Sequence, residues 1–438
     1  MVECEKGDEI NMENKIFFQK QIDSYGHYDV VVLGGGPAGV CAAVEASRNG
    51  AKVLLVEAAG MLGGMATTAM VGPLMTVYDR EGERLIVGGL YREIVERLEK
   101  CNGAIPPEET DSPSIYTSYL EKYHRHVTPF DSYMMQVVLD EMAEEAGVEV
   151  LLYTRFSDCI CEDNKIKTII VSALEGLRAI SADVFIDCTG NADVAHAAGV
   201  KTHKGDEETG IPQPGTLMFE VDNVNDDEYW RGPKRPVKAY RTATPGRYKV
   251  NHHRVFNVDA TDSKSMSDAH KVARKQVLEA YEYLRTKTGF QKCNLAGVGS
   301  VLGVRESRHI DGKYKITVED IANGTKFDDR IAVYGFGMDV HPRSEAESGN
   351  FKVEIADAYY IPYRSMVPNG CQNLLVAGKT ISSESQAAGG LRCMPCAMAM
   401  GQAAGVASAL AIKKGILVED IDVAQMQTIL KEHGAILD

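Results

Sequence analysis

Short apolar runs alternate with helical patterns in the first part of the chain. Residues 28–33, 52–57 and 184–187 are rich in Val, Leu and Ile, which is typical of buried parallel strands. Residues 37–49 lie between the first two runs and predict a helix that Gly50 ends. A strand, a helix and a second strand in this order predict a βαβ unit and therefore an α/β fold.

Periodicity also predicts the remaining elements. Apolar positions at helical spacing predict helices over residues 88–101, 132–147, 267–286, 395–413 and 421–433. Strand-like runs lie at residues 148–153, 216–221 and 373–377, with a hairpin over 156–171 and a Gly-rich loop over 60–72.

Changes in composition along the chain predict four segments. Residues 1–27 are polar and predict an extension or lid, and residues 28–200 form the first part of a Rossmann-like domain with a parallel sheet and a three-stranded β crossover. Residues 201–350 are richer in His, Lys, Arg and Tyr and predict an inserted α+β substrate domain. Residues 351–438 return to apolar strands and helices and complete the first domain.

Composition excludes several classes of function. The chain has 438 residues, a formal net charge of −15 and a pI of about 5.3, and no basic face that would bind nucleic acid. We expect no membrane span and no signal peptide, because the apolar runs are strand-sized and the N-terminus is acidic. Ten scattered cysteines favour reduced thiols in the cytoplasm, and no ligand spacing indicates a metal site.

The segment between the first predicted strand and helix has the pattern G-x-G-x-x-G at Gly34, Gly36 and Gly39. The first glycine permits a tight turn, the second lets the backbone approach a pyrophosphate, and the third lets the helix pack close to the strand. The helix offers free N–H groups and the positive end of its dipole to the phosphates. Glu57, 23 residues after Gly34, ends the next strand and would accept hydrogen bonds from ribose hydroxyls.

The choice between FAD and NAD depends on segments outside this fingerprint. Gly63 and Gly64 follow Glu57 closely and give a second close backbone approach. Residues 187–193 end a buried strand in a tight turn of small residues, and small residues recur at 376–379 and 401–405. A ligand that the first, middle and last parts of a chain contact is long and buried, which favours FAD.

The chain resembles the FAD-dependent oxidoreductases related to the glutathione reductase and succinate dehydrogenase flavoproteins. Within them it is similar to a branch with a C-terminal Met-Pro…Gly-Gln-Ala-Ala-Gly motif. The resemblance covers nearly the whole chain after Tyr28, and it is carried by residues 60–65, 187–193, 304–308, 361–365 and 392–405. It implies a two-domain flavoprotein.

The resemblance also implies where FAD makes contact. The ADP half is expected at the first glycines and Glu57, and the adenosine side near Thr189. The ribityl chain and the flavin pyrimidine edge are expected near Gly378 and residues 395–401, where a helix N-terminus stabilises negative charge on the reduced flavin. The residues predicted to contact FAD are Gly34, Gly36, Pro37, Ala38, Gly39, Glu57, Gly63, Gly64, Met65, Thr189, Gly190, Gly378, Pro395, Gly401 and Gln402.

The chain departs from its relatives at cysteine positions. Met65-Ala-Thr-Thr68 stands where the disulfide reductases have their paired cysteines, so glutathione reductase chemistry is not expected. The branch has a cysteine where this chain has Ala397, and Cys393 and Cys396 lie nearby instead. These two thiols are either a redox pair or buried packing residues, and packing is the favoured interpretation.

Further residues are candidates for chemistry. At least one of Arg305, Arg308 and Arg364 is predicted to bind a carboxylate or carbonyl oxygen of the substrate. The alternative for each is a structural ion pair with Glu306 or another acid. His341 is predicted to donate or accept the proton that accompanies hydride transfer, and the alternative is a solvent-facing or capping histidine.

These predictions indicate an FAD-dependent oxidoreductase that acts on a small polar or acidic metabolite by hydride transfer at flavin N5. One alternative is a non-catalytic dinucleotide-binding protein, although the intact glycines and Glu57 argue against it. Another is an electron-transfer subunit of a redox complex, against which the lack of clustered iron–sulfur cysteines argues. The sequence names neither substrate nor electron partner, and it leaves the formation of a homo-oligomer open.

Overall fold

The computed structural model describes residues 18–111, 124–228, 238–347 and 353–438. Its strands are β1 (Asp23–Leu33), β2 (Val53–Val56), β3 (Glu149–Leu151), β4 (Arg155–Glu162), β5 (Lys165–Ala173), β6 (Gly176–Asp187), β7 (Thr202–Lys204), β8 (Phe219–Asp222), β9 (Lys238–Arg241), β10 (Tyr248–Asn251), β11 (Asn294–Val298), β12 (Arg308–Ile310), β13 (Arg330–Tyr334), β14 (Tyr359–Pro362) and β15 (Leu374–Val376). Its α-helices are α1 (Pro37–Arg48), α2 (Leu90–Lys100), α3 (Ser132–Ala146), α4 (Asp193–Ala197), α5 (Ser263–Leu284), α6 (Val318–Asn323), α7 (Ala388–Leu391), α8 (Met394–Lys414) and α9 (Val423–Glu432).

The largest sheet has seven strands in the order β3–β2–β1–β6–β5–β4, and β15 also pairs with β6. β3, β2, β1, β6 and β15 run parallel, whereas β4 and β5 are antiparallel and lead into the first half of β6. This topology confirms the predicted α/β class with a parallel sheet and a β crossover. It brings the carboxyl ends of β1, β2, β6 and β15 to one edge.

Strands β1 and β6 are longer than the sequence pattern predicts. β1 begins at Asp23 rather than at Tyr28, and its first residues pair in parallel with β6, beginning with Asp23 beside Arg178. An ion pair of 2.7 Å joins these two side chains. Residues 23–27 were assigned to the predicted N-terminal extension because they lack an apolar run, but backbone pairing needs no apolar side chains. Residues 1–17 of that extension lie outside the described residues.

A second, antiparallel sheet has the order β11–β8–β10–β9. Helix α5 packs on one face of it and forms a separate hydrophobic core. The other face meets the first domain, where the Lys249 ammonium donates to the Ser132 hydroxyl at 2.7 Å and lies 3.9 Å from the Phe130 ring centroid. Glu220, the cross-strand neighbour of Lys249, lies 3.9 Å from the same ammonium and partly offsets its buried charge.

The chain returns to the first domain's core before residue 350. Ile310 of β12 packs with Phe185 and Leu374, and Ile331 of β13 belongs to the large core that surrounds α1 and α8. Residues from about 308 onward therefore pack with the dinucleotide-binding half. They lie inside the segment that composition assigned to the substrate domain, because composition does not show which core an apolar strand joins.

Helix α1 crosses α8 at glycine positions. A Cβ atom on Gly401 would overlap with the Ala38 carbonyl group, and one on Gly405 would lie 2.6 Å from the Ala42 carbonyl oxygen. A Cβ atom on Gly39 would overlap with the carbonyl oxygen of Gly34. The C-terminal helix therefore packs backbone to backbone against the helix that follows the glycine turn.

Helix α8 is the one helix among the described residues with the length and hydropathy of a membrane span. Of its most apolar window, 89% is buried inside the protein. It contacts α1, α2, α9 and several strands, as a core helix does.

We expect Gly401→Ala to lower the free energy of unfolding by about 1–3 kcal/mol, because the added methyl group has no room at the α1–α8 crossing. Denaturant unfolding followed by circular dichroism measures this. Lys413→Ala on the exposed end of the same helix is the control and should stay within about 0.5 kcal/mol of the parent protein. Equal stabilities of the two variants would contradict the close crossing.

Candidate functional site

Four turns meet at the carboxyl edge of the parallel strands. They follow β1, β2, β6 and β15 and carry Gly34, Glu57, Thr189 and Gly378. A Cβ atom on Gly34 would lie 3.0 Å from the Thr189 Cα atom, and one on Gly378 would lie 3.5 Å from Ala38 Cβ. The structure thus brings together residues from the first, middle and last parts of the chain, at the edge where α/β sheets bind dinucleotides.

The turn from β1 to α1 has room for a ligand. Gly34 has a φ of +99°, and a side chain there would overlap with the Cys188 carbonyl group. Gly36 has a φ of −73°, and a Cβ atom there would meet no described protein atom within 4 Å. Within α1, Gly36 is the N-cap without a side-chain hydrogen bond, and the first turn with Pro37 and Ala38 holds no acid. This space beside free N–H groups fits a pyrophosphate.

Glu57 joins the turns that follow β1 and β2. Its Oε2 atom accepts a hydrogen bond from the Gly35 N–H at 2.6 Å, and its Oε1 atom accepts one from the Ala59 N–H at 2.6 Å. Each carboxylate oxygen keeps a further lone pair for a ribose hydroxyl. The geometry therefore holds Glu57 where the fingerprint predicts a ribose contact.

The Gly-rich loop after Glu57 packs on the same turn. The Gly63 N–H donates to the Gly35 carbonyl oxygen at 2.8 Å, and a Cβ atom on Gly64 would lie 2.9 Å from Gly36 Cα. Residues Gly64–Ala66 form a short 3-10 helix, in which Met65 is partly buried against the main core. The two glycines allow this loop to pack closely against the turn between β1 and α1, and their contact with FAD stays a prediction.

The C-terminal segment reaches the site at the start of α8. Pro395 is buried in the first turn of this helix, which has neither a side-chain cap nor an acid there. Further along, Gly401 contacts the backbone of Ala38. The Gln402 amide accepts from the Leu90 N–H at 3.2 Å and donates to the Glu45 carboxylate at 3.1 Å. Gly401 therefore packs against α1, and the Gln402 side chain is held by hydrogen bonds within the protein.

A buried carboxylate shapes the turn after β6. Asp187 Oδ1 accepts hydrogen bonds from the Thr189 N–H at 3.0 Å and from its hydroxyl at 2.8 Å, and Oδ2 accepts one from the Ala195 N–H at 2.9 Å. At the end of this turn Asp193 forms an ion pair of 2.9 Å with Arg308. These bonds hold Thr189 and Gly190 beside the first glycine turn.

Glu306 is buried and is neutralised by Arg343 rather than by Arg305. The Arg343 guanidinium donates to Glu306 at 2.7 Å, the Gln213 N–H donates at 2.8 Å, and the Ser385 hydroxyl donates as well. Burial alone raises the pKa of Glu306, but the nearby His309 and the charge of Arg343 lower it to about 2. Glu306 is therefore ionised and fully engaged.

Gln213 links this buried pair to His341. The Gln213 Oε1 atom accepts from the His341 N–H at 3.1 Å, which fixes the amide nitrogen on the other side. Gln213 is 2% exposed, and among the described residues nothing lies within hydrogen-bonding distance of its Nε2 atom. This buried amide donor is free to bind an oxygen of a ligand or of a water molecule.

His341 is also buried with one unpartnered nitrogen. Its Nε2 atom lies 3.0 Å from Asp339 Oδ2, and its Nδ1 atom has no hydrogen-bond partner among the described residues. Burial lowers the pKa of His341 to about 3, against the opposing charge of Asp339. The imidazole is therefore neutral at pH 7, with Nε2–H donated to Asp339 and Nδ1 free to accept a proton. Arg392 donates to the Asp339 carbonyl oxygen at 2.7 Å and holds this loop against the start of α8.

Arg305 has no acidic partner within 4 Å in the described parts of the chain. Its guanidinium donates to the Pro214 carbonyl oxygen at 2.7 Å and to the Thr216 hydroxyl at 2.8 Å. Burial and then the charge of Arg392 lower its pKa to about 9, so it stays cationic at pH 7. The more distant charge of Asp339 acts in the opposite direction, but Arg305 has no direct ion pair in the described residues, and its charge reaches the imidazole of His341.

The structure separates Arg364 from this cluster. Its side chain is 51% exposed and forms an ion pair of 2.8 Å with Asp329, and its guanidinium lies 5.2 Å from the Tyr314 ring centroid. This is the structural ion pair that the sequence left open as the alternative. Arg364 therefore lies apart from the cluster of Gln213, Arg305 and His341.

The two cysteines near α8 are free thiols in the structure. Burial raises the pKa of Cys393 to about 12 and that of Cys396 well above its usual range. Neither thiol is therefore activated as a thiolate, which favours packing over redox exchange. Among the described residues no group of three or more His, Cys, Asp or Glu side chains has the geometry of a metal site.

The sequence did not indicate a role for Gln213, Asp339, Arg343 or Arg392. Two of them left a signal. Arg392 precedes the N-terminus of a long helix, where the dipole disfavours a cation, and Asp339 lies two residues before His341. Gln213 and Arg343 left no signal, because only folding brings them to Glu306.

Comparison with known proteins assigns the chain to a class. The sequence model of the family described as FAD dependent oxidoreductase matches residues 29–430, so the chain belongs to this family. The protein is an FAD-dependent oxidoreductase, its cofactor is FAD, and the resemblance to FAD-dependent oxidoreductases is confirmed, whereas the branch with the C-terminal motif stays a prediction. The open glycine turn fits this cofactor.

Individual relatives are distant. The chain is 27% identical over 193 residues to Protein FixC of Salmonella typhimurium and 28% identical over 179 residues to digeranylgeranylglycerophospholipid reductase of Methanoculleus marisnigri. Each match covers 40% of this chain and 42% of the relative, so the chain matches less than half the length of both. A geranylgeranyl bacteriochlorophyll reductase-like structure from Thermoplasma acidophilum is 14% identical, with a TM-score of 0.46, and the alignment covers 94% of this chain and 84% of that one.

We expect Gly36→Ala to fold with wild-type stability but to bind FAD about tenfold or more weakly, because its methyl group occupies space that no described residue fills. Gly34→Ala is the matched contrast. Its positive φ and the overlap with Cys188 should lower the free energy of unfolding by about 1–3 kcal/mol. FAD titration and denaturant unfolding of both variants separate the two effects. Wild-type FAD affinity in Gly36→Ala would show that the pyrophosphate lies elsewhere.

Proposed function

We propose that this enzyme oxidises or reduces a small anionic metabolite that Arg305 holds beside the imidazole of His341. The observation that supports the proposal is that Arg305 has no ion pair among the described residues, where Gln213 Nε2 and His341 Nδ1 also lack hydrogen-bond partners. A buried cation without a counterion is costly, and a substrate carboxylate would supply the missing charge.

The guanidinium of Arg305 is preorganised for this task. Two hydrogen bonds, to Pro214 and Thr216, fix one of its nitrogens. The remaining N–H groups keep the fork geometry that matches a carboxylate. Gln213, the residue before Pro214, adds an amide donor, so the substrate is expected to place a second oxygen or a carbonyl group there.

The imidazole of His341 has the protonation state of a proton acceptor. Its Nδ1 atom is unprotonated when Nε2–H is donated to Asp339. The Asp339 carboxylate would stabilise the imidazolium that forms when Nδ1 takes a proton from the substrate, and in the reverse direction the imidazolium would return it. Burial excludes bulk water from this transfer.

When bound, FAD supplies a two-electron acceptor or donor that exchanges a hydride at N5. Oxidation of an alcohol or amine carbon then balances as one hydride to the cofactor and one proton to His341. The arginine and the amide hold the substrate through both steps and change neither charge nor oxidation state.

The test is anaerobic reduction of the holoenzyme's flavin by a panel of hydroxy and amino carboxylates, each paired with its neutral amide or ester. We expect bleaching by members that carry a free carboxylate and much weaker bleaching by their neutral partners. Preference for the neutral partners, or a flavin that no metabolite reduces, would contradict the proposal.

Arg305→Ala should raise the concentration of carboxylate substrate needed for half-maximal flavin reduction by about ten- to a hundredfold, since a charge-assisted contact is lost. Arg364→Ala is the control, because its guanidinium engages Asp329 at the surface. Stopped-flow reduction of both holoenzymes gives the comparison. An equal response of the two variants would remove Arg305 from the site.

His341→Gln should slow flavin reduction at saturating substrate by about 10²- to 10⁴-fold, because the amide cannot accept the proton. Substrate affinity and FAD content should stay near their wild-type values. His196→Gln, at an exposed histidine of α4, provides the control. If His341→Gln reduces its flavin at the normal rate, the proton passes to another group.

A further inference from the structure

Lys379 is a second cation without an acidic partner among the described residues. Lys379 follows Gly378 at the end of β15 and has a partly buried side chain. Its ammonium donates to the Val304 carbonyl oxygen at 2.9 Å. Among the described residues no carboxylate oxygen lies within 4 Å of it.

The carboxylates near Lys379 are already engaged. Glu306 and Asp193 are the acids whose charges reach it. Glu306 is paired with Arg343 at 2.7 Å, and Asp193 is paired with Arg308 at 2.9 Å. These two acids therefore pair with guanidiniums, and the ammonium has no direct carboxylate partner among the described residues. Burial, followed by the charge of Arg392, lowers the pKa of Lys379 to about 8, as expected for a cation that lacks a counterion.

The position of the ammonium relates it to the phosphate turn. A Cβ atom on Gly190 would lie 3.9 Å from Lys379 Nζ, and Gly190 follows Thr189, which contacts the Gly34 turn. On its other side Gly378 adjoins Ala38 in the first turn of α1. The ammonium therefore lies at the same sheet edge as the free N–H groups of α1.

We propose that Lys379 supplies the countercharge for the pyrophosphate of FAD and forms an ion pair with one of its phosphate oxygens. The dinucleotide turn itself offers only N–H groups and the helix dipole, which compensate a doubly charged pyrophosphate in part. An ammonium that has no protein carboxylate to pair with completes this compensation.

The test is the affinity of the full-length apoprotein for FAD, for ADP and for riboflavin. Lys379→Met should weaken the binding of FAD and ADP by about ten- to a hundredfold, because both ligands carry the pyrophosphate. The affinity for riboflavin, which lacks phosphate, should not change. Lys379→Arg should restore most of the affinity for FAD and ADP. Lys413→Met, an exposed lysine at the end of α8, is the matched control.

Two results would overturn the proposal. Wild-type affinity of Lys379→Met for FAD and ADP would make the lysine a structural residue that only binds the Val304 carbonyl. Weaker FAD binding with unchanged ADP binding, together with a lower flavin reduction potential, would place the ammonium at the flavin ring instead. If Lys379→Met does not fold, Lys379→Gln, which keeps a donor for Val304, answers the same questions.

Discussion

The close packing of α1 against its neighbours is the constraint on which the rest of the structure depends. Gly39 lets α1 touch the turn that starts it, and Gly401 and Gly405 let α8 cross the same helix backbone to backbone. These contacts leave no room for side chains, so the first and last segments of the chain share one edge of the sheet. A ligand at that edge is contacted from both, as a long dinucleotide requires.

The charged side chains near this edge of the sheet are of two kinds, those in an ion pair and those without an acidic partner among the described residues. Asp193, Glu306 and Asp339 each engage an arginine, namely Arg308, Arg343 and Arg392. Arg305 and Lys379 have no such partner among the described residues. In a region with little water an unpaired cation costs much more than in solvent, so both positions favour bound anions. In the two proposals Arg305 pairs with the substrate carboxylate and Lys379 pairs with the pyrophosphate of FAD.

The dinucleotide half could be predicted in detail because its signals are local. Consecutive residues show the three fingerprint glycines, the apolar strand before them and the helix after them. The structure brings Gly34, Glu57 and Thr189 close together, as the sequence predicts. The extent of β1 was not predictable in this way. Asp23 and its neighbours are polar, and their strand forms because β6 offers a pairing edge.

The sequence by itself determined the fold class, the glycine turn, the cofactor and His341 as a candidate. The tertiary structure decided which charges are neutralised. Arg364 and Arg305 look equivalent in the sequence, yet Asp329 pairs with the first, whereas no acid among the described residues pairs with the second. Gln213 and Arg343 acquire their roles only when they meet Glu306. An ion pair or hydrogen bond acts over a few ångströms, and only folding brings residues distant in sequence within that range.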